Sequence, residues 1–194
     1  VVVEMCGRFT FYTDKELQEI DDIVRQVSND INYDRMKTGE IFPTEIVPIL
    51  LPEKETIVPK LYAWGFPKYQ GKGVIINAKS ETARENWTFR AALKNKRCAI
   101  PSTGFFEWDK SKKKYLFNVP EDDILYMAGL FNEFEGKRCF VILTTKANDS
   151  VGDIHERMPV VLPKNRVEDW IFHFDKVNDL LFNNQPDLIK SMAI

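Results

Sequence analysis

Apolar and polar positions alternate in two rhythms along this chain. Leu17, Ile20, Ile23, Val24 and Val27 recur at helical spacing, and Thr13 to Glu16 has the T-x-x-E spacing of a capping box. An amphipathic helix is therefore expected over residues 14 to 28. Short apolar runs follow, each bounded by proline, glycine or charge: Ile46 to Leu51, Ile57 to Tyr62 and Val74 to Ile76. Their length and flanks predict strands. Thr88 is placed to cap a short helix carrying Phe89, Ala92 and Leu93. From Arg97 onward the pattern is mostly β, in Arg97 to Ile100, Gly104 to Trp108, Tyr115 to Val119, Ile124 to Phe131, Cys139 to Thr145 and Met158 to Leu162. Residues 166 to 183 return to helix, with Trp170, Ile171, Leu180 and Leu181 as buried candidates. The sum is an α+β fold with a largely antiparallel, barrel-like β core and peripheral helices.

Composition narrows the partners. The chain has 194 residues, enough for one well-buried core, and no linker or repeat divides it. Residues 6 to 194 are expected to form a single domain, with residues 1 to 5 as a short leader or remnant. Lys and Arg number 27 against 29 Asp and Glu, a formal charge of −2, so an anionic partner must be met by a local basic patch. No apolar run reaches transmembrane length and no secretory signal is evident. Three scattered cysteines without a CxxC, and only two histidines, argue against a disulfide framework or a metal centre and fit a reducing cytoplasm. No cofactor is implied, and a monomer is expected.

Four segments place polar residues inside apolar stretches: Met5-Cys6-Gly7-Arg8-Phe9, Asn77 to Thr82, Gly104 to Trp108, and Asp153 to Pro159. Cys98 and Cys139, inside strand runs, are ordinary buried cysteines. Cys6 differs because it follows a methionine near the start. As a first residue it would hold an amine and a thiol on adjacent carbons, both nucleophilic near neutrality. Such a 1,2-aminothiol condenses with an aldehyde and closes a thiazolidine, whereas an internal cysteine has only an amide nitrogen. Glu107 lies between Phe106 and Trp108; it is either an exposed strand carboxylate or an acid–base group in a semi-apolar cleft. His155 is a structural histidine or a proton donor. Asn77 has the look of a turn or cap residue. Arg8, Lys79 and Arg157 would ordinarily be solvated charges, and the lysine-rich stretch from Lys110 to Lys114 a hairpin turn.

Together, MCGRF, NAKSET, GFFEW and DIHERMP, in this order, closely resemble the SRAP family of SOS response-associated peptidases, also called abasic site processing proteins. Pro43-Thr44, Trp64-Gly65 and Thr144 are weaker matches. The resemblance implies a covalent thiazolidine between an N-terminal cysteine and the aldehyde of an abasic site in single-stranded DNA. Carried over by motif, Cys6 is the nucleophile, Asn77 holds the cysteine or the opened sugar, Glu107 shuttles protons, and His155 assists opening of the deoxyribose ring. Arg8, Lys79 and Arg157 would bind phosphates, with Lys79 standing where the family usually has arginine. Trp64 and Phe66 are candidates for stacking on flanking bases, and Pro43, Thr44 and Thr144 for contacting DNA. Where the family commonly has a second tryptophan past the proline, this chain has Tyr69. Two other readings stand beside this one: a thiol peptidase using Cys6 with His155 as base, and a non-covalent single-stranded-DNA-binding module.

Overall fold

A closed ring of five strands forms the centre of the computed structural model, which describes residues 7–14, 17–120 and 122–193. Ile46–Glu53 and Thr56–Trp64 make an antiparallel hairpin, and Ile46–Glu53 also pairs with Arg97–Ser102. Arg97–Ser102 pairs with Leu125–Phe134, and that strand with Lys137–Lys146. Lys137–Lys146 closes the ring on Thr56–Trp64 by the one parallel step, Cys139 beside Ala63 and Phe140 beside Trp64. Closure leaves these strands no free edges, so their inward positions can be apolar throughout. Ile49, Cys98, Ile100 and Ile142 on one face of the barrel wall are inaccessible to solvent, as are Leu61, Leu130 and Val141 on the other. The two-residue loop Glu135-Gly136 has positive φ at both positions, as a tight hairpin with matching twist requires.

A second sheet of five antiparallel strands packs beside the barrel, in the order Ile189–Met192, Lys114–Asn118, Gly104–Trp108, Phe9–Phe11 and Gly39–Ile41. The chain crosses between sheets at Thr103-Gly104. Gly104 has φ +139°, and a Cβ there would stand 2.8 Å from the Asn118 amide and 2.9 Å from the Phe117 carbonyl. Only glycine fits this corner. A buried polar seam holds it: the Ser102 hydroxyl lies 2.7 Å from the Gly104 carbonyl, and Thr103 donates its hydroxyl to that of Thr10 at 2.8 Å.

The α+β class and antiparallel barrel-like core expected from the sequence are present, with differences that have physical causes. The first helix runs Gln18–Val27 and buries Ile20, Ile23 and Val27; Leu17 precedes it without a side-chain cap, and Glu16 of the expected capping box lies outside the described residues. The helix after Thr88 is Arg90–Asn95 and has no side-chain cap. Residues 166 to 183 are two helices, Val167–Phe172 and Val177–Phe182, because His173 adopts extended backbone between them. Met158 to Leu162 divides into Arg157–Pro159, paired with Lys137–Lys146, and Val161–Leu162, paired with Leu125–Phe134. The run fills the wedge where those two barrel strands splay apart. Asn77 is no turn residue: Asn77–Lys79 is a strand, parallel to Lys137–Lys146. None of the helices described is long and apolar enough to cross a membrane.

Candidate functional site

Two walls carry the residues singled out by motif. The first is built on the distal half of Lys137–Lys146. Asn77–Lys79 flanks it on one side, with Ile142 beside Asn77 and Thr144 beside Lys79. Arg157–Pro159 flanks it on the other, with Thr144 beside Pro159 and Lys146 beside Arg157. Two strand spacings, about 10 Å, therefore separate the NAKSET and HERMP segments. Asn77 is half-buried and Lys79 exposed.

On this wall Arg157 is already engaged. Its Nη1 donates to Glu81 Oε1 at 2.5 Å and its Nη2 to Glu81 Oε2 at 2.9 Å, the bidentate fork of a guanidinium on a carboxylate. Nη2 also donates to the Thr144 carbonyl at 2.7 Å and reaches the Thr144 hydroxyl at 3.2 Å. Thr144 is inaccessible to solvent, so the expectation that it contacts DNA is corrected: it aims Arg157. The hydrogen bond from Arg157 holds the Glu81 carboxyl below the usual carboxylate range, against a smaller opposing push from burial. His155 is half-buried, in the loop leading into this strand. His155 Nδ1 lies 3.1 Å from the Arg157 backbone nitrogen and 3.2 Å from the Arg157 carbonyl, so the backbone two residues on orients the ring.

The second wall is the small sheet. Phe9 pairs with Phe105, and the Phe106 N–H donates to the Arg8 carbonyl at 2.9 Å. One further step in this register puts Gly7 level with Glu107. Cys6, the residue before Gly7, lies outside the described residues. Glu107 is only 2% exposed and, by strand alternation, shares the face of the fully buried Phe105. The reading of Glu107 as an exposed strand glutamate is therefore corrected.

Phe106 and Trp108 point the other way, where they meet cations. Lys114 Nζ lies 3.8 Å from the Phe106 ring centre, and Arg8 Cζ lies 3.7 Å from that of Phe42 and 5.5 Å from that of Trp108. Both cations converge on Glu40, Arg8 Nη1 at 2.6 Å and Lys114 Nζ at 2.7 Å. Burial would raise the Glu40 carboxyl, but Lys114 and Arg8 together outweigh it and hold it below its ordinary value. Sequence reasoning missed Glu40 and treated Lys114 as part of a solvated turn. Next to this cluster, Phe42 to Glu45 is a turn with Pro43 at its second position and Thr44 at φ 76°. A β-branched residue rarely adopts that backbone. Thr44 is exposed and Pro43 half-buried.

Trp64 ties the two walls together, and its expected role in base stacking is corrected. It is wholly buried, edge-to-face with Phe9 at 5.1 Å and stacked with Phe140 at 6.4 Å. Its Nε1 donates to the Ile76 carbonyl at 3.0 Å. Phe66 is equally buried, against Phe89 and Phe134, and has no face to offer a base. Exposed aromatic surface lies instead at Tyr69 and Trp87, whose rings meet edge-to-face at 5.6 Å.

Comparison with known proteins bears on this arrangement. The chain is 32% identical to the abasic site processing protein YoqW of Bacillus subtilis, over 97% of this chain and 86% of that protein. It is 27% identical to the abasic site processing protein YedK of Escherichia coli, over 86% and 79% of the two chains. A crystal structure of a protein from Bacteroides thetaiotaomicron superposes with a TM-score of 0.77 at 22% identity, covering 96% of this chain and 91% of the other. The family model described as SOS response associated peptidase (SRAP) matches residues 5–192, and the chain belongs to that family.

Proposed function

We propose that this protein captures abasic sites in single-stranded DNA covalently, through the amine and thiol of Cys6 once Cys6 is the first residue. The observation that carries this is Glu107: a carboxylate almost wholly withdrawn from water, level with Gly7, the residue joined to Cys6. The two relatives described above are abasic site processing proteins by name.

The chemistry balances with one water released. The open-chain form of an abasic deoxyribose presents an aldehyde. The Cys6 amine adds to its carbon, and loss of water from the carbinolamine leaves an imine. The sulfur then adds to the imine carbon, and the thiol proton ends on nitrogen. Glu107 accepts the amine proton and returns one to the departing hydroxyl. His155, held beside Arg157 by its Nδ1 contacts, is suited to donate to the ring oxygen as the sugar opens. Asn77 positions the cysteine or the opened sugar. Arg8, Lys79 and Arg157 meet phosphates beside the lesion, and the exposed turn at Pro43 and Thr44 adds a contact to the strand.

The test uses protein beginning at Cys6 and single-stranded DNA with one abasic site. An adduct stable on a denaturing gel is expected, and it should vanish with Cys6→Ala. Protein that retains residues 1 to 5 should form none, because its Cys6 nitrogen is an amide. A thiol peptidase needs only the sulfur and would tolerate the extension. No adduct from protein with a verified free Cys6 would sink the proposal.

A further inference from the structure

Arg8 and Arg157 share a peculiarity. Each guanidinium on the proposed DNA face holds a carboxylate from a distant part of the chain, Glu40 for Arg8 and Glu81 for Arg157. Each also keeps its Nε buried with no acceptor among the described residues. Both carboxylates remain partly open to solvent, with side-chain exposures of 28% for Glu40 and 42% for Glu81.

We infer that Glu40 and Glu81 are internal phosphate surrogates: in the DNA-free protein each occupies the guanidinium that a backbone phosphate takes when the strand binds. The inference rests on the proposed function and adds a control on it.

A carboxylate presents two oxygens to an arginine fork in much the geometry of a phosphate. Partly exposed ion pairs of this kind are weak, so a polyanion can displace them. Glu40 also holds Lys114, so its displacement frees two cations at once and adds Lys114 to the phosphate-binding set. Until then Glu81 keeps the Arg157 fork oriented, Glu40 holds Arg8 Nη1 and Lys114 Nζ through one oxygen, and the two carboxylates offset the charge of these cations. This fits a protein of net charge −2 that must meet DNA without a large basic surface. Binding exchanges one anion for another, so intact single strands gain little, and retention falls to the covalent step at the lesion.

The test measures binding of an intact, abasic-free single-stranded oligonucleotide by fluorescence anisotropy across a salt series. It compares the wild type with Glu40→Gln, Glu81→Gln and the double variant. Glu53→Gln is the control: it makes the same charge change beside Lys60, at the turn end of the Ile46–Glu53 and Thr56–Trp64 hairpin. Tighter binding is expected for Glu40→Gln and Glu81→Gln, with the plot of log K against log salt steeper by about 0.7 for each cation freed. The advantage over wild type should then grow about fivefold for each tenfold dilution of salt with Glu81→Gln, and about twenty-five-fold with Glu40→Gln, which frees two cations. Unchanged or weaker binding by folded variants would overturn the inference, since the pairs would then be scaffold that persists in the complex. Equal tightening by Glu53→Gln would overturn it too, as a bulk charge effect. Adduct formation on abasic DNA by wild-type protein beginning at Cys6 separates the two ideas. An adduct without tightening rejects only the surrogates, whereas no adduct and no binding by any protein rejects both.

Discussion

Trp64 donates its indole N–H to the carbonyl of Ile76 at 3.0 Å, and so fixes the backbone of the residue that precedes Asn77. The same ring rests against Phe9, next to Arg8. One buried side chain thus sets the spacing between the strand that brings in the N-terminus and the strand that carries Asn77. Trp64→Phe keeps an aromatic ring but removes the donor, leaving a buried carbonyl without that partner. A loss of about 1 to 3 kcal/mol is expected, read as a lower midpoint in chemical denaturation. Adduct formation should slow even where the protein remains folded. A variant with wild-type stability and rate would show that the indole bond positions nothing.

Arg97 is the second buried anchor. Its guanidinium donates to the carbonyls of Leu93 and Lys94, in the last turns of Arg90–Asn95, and to those of Trp170 and Ile171 in Val167–Phe172. Carbonyls near helix C-termini lack intrahelical partners and carry partial negative charge, so one buried cation closes two helices. Burial lowers its pKa, yet arginine stays charged at any physiological pH. Arg97→Met should cost about 3 kcal/mol or more through the stranded carbonyls. Thermal unfolding measures it, and a shift of only a degree or two would show that solvent replaces the guanidinium.

Glu107→Gln isolates the proposed proton shuttle. The substitution preserves shape in a site that is 2% exposed, while removing the ability to take and return a proton. A loss of roughly a hundredfold or more in single-turnover adduct rate is expected, the usual scale for a general acid–base group. Equilibrium binding of intact single-stranded DNA should be unchanged. An undiminished rate would remove Glu107 from the chemistry and leave it a structural residue.

Much of the barrel was legible because its strands are apolar and end at charge or glycine, and in the sheet beside it Gly104–Trp108 was placed to the residue. What escaped were elements whose reason lies elsewhere in the chain. Ile189–Met192 is exposed along its length and becomes a strand only by pairing with Lys114–Asn118. Asn77–Lys79 spans three residues, too short for any alternation to register. Trp64 was given a DNA-facing role because a motif names a residue without saying which face it takes. Glu107 stayed open between an exposed carboxylate and a group in a cleft, since alternation with Phe106 and Trp108 reads equally well inward or outward. Glu40 and Lys114 stand 74 positions apart, Glu81 and Arg157 76, and no local pattern pairs them.

Those two carboxylates also contribute to how stability responds to acid. Glu40 and Glu81 both titrate below their ordinary value of 4.5 in the folded protein. A group with a depressed folded pKa contributes its full stabilisation above the unfolded value and loses it as pH falls through the folded one. The thermal midpoint of the wild type should therefore decline as pH drops from about 5 downward. The double variant Glu40→Gln, Glu81→Gln carries no titrating group at either position, so its midpoint should start lower at neutral pH and decline less. Two pH profiles that remain parallel would mean that the ion pairs seen at Arg8, Lys114 and Arg157 do not hold their carboxylates charged in solution.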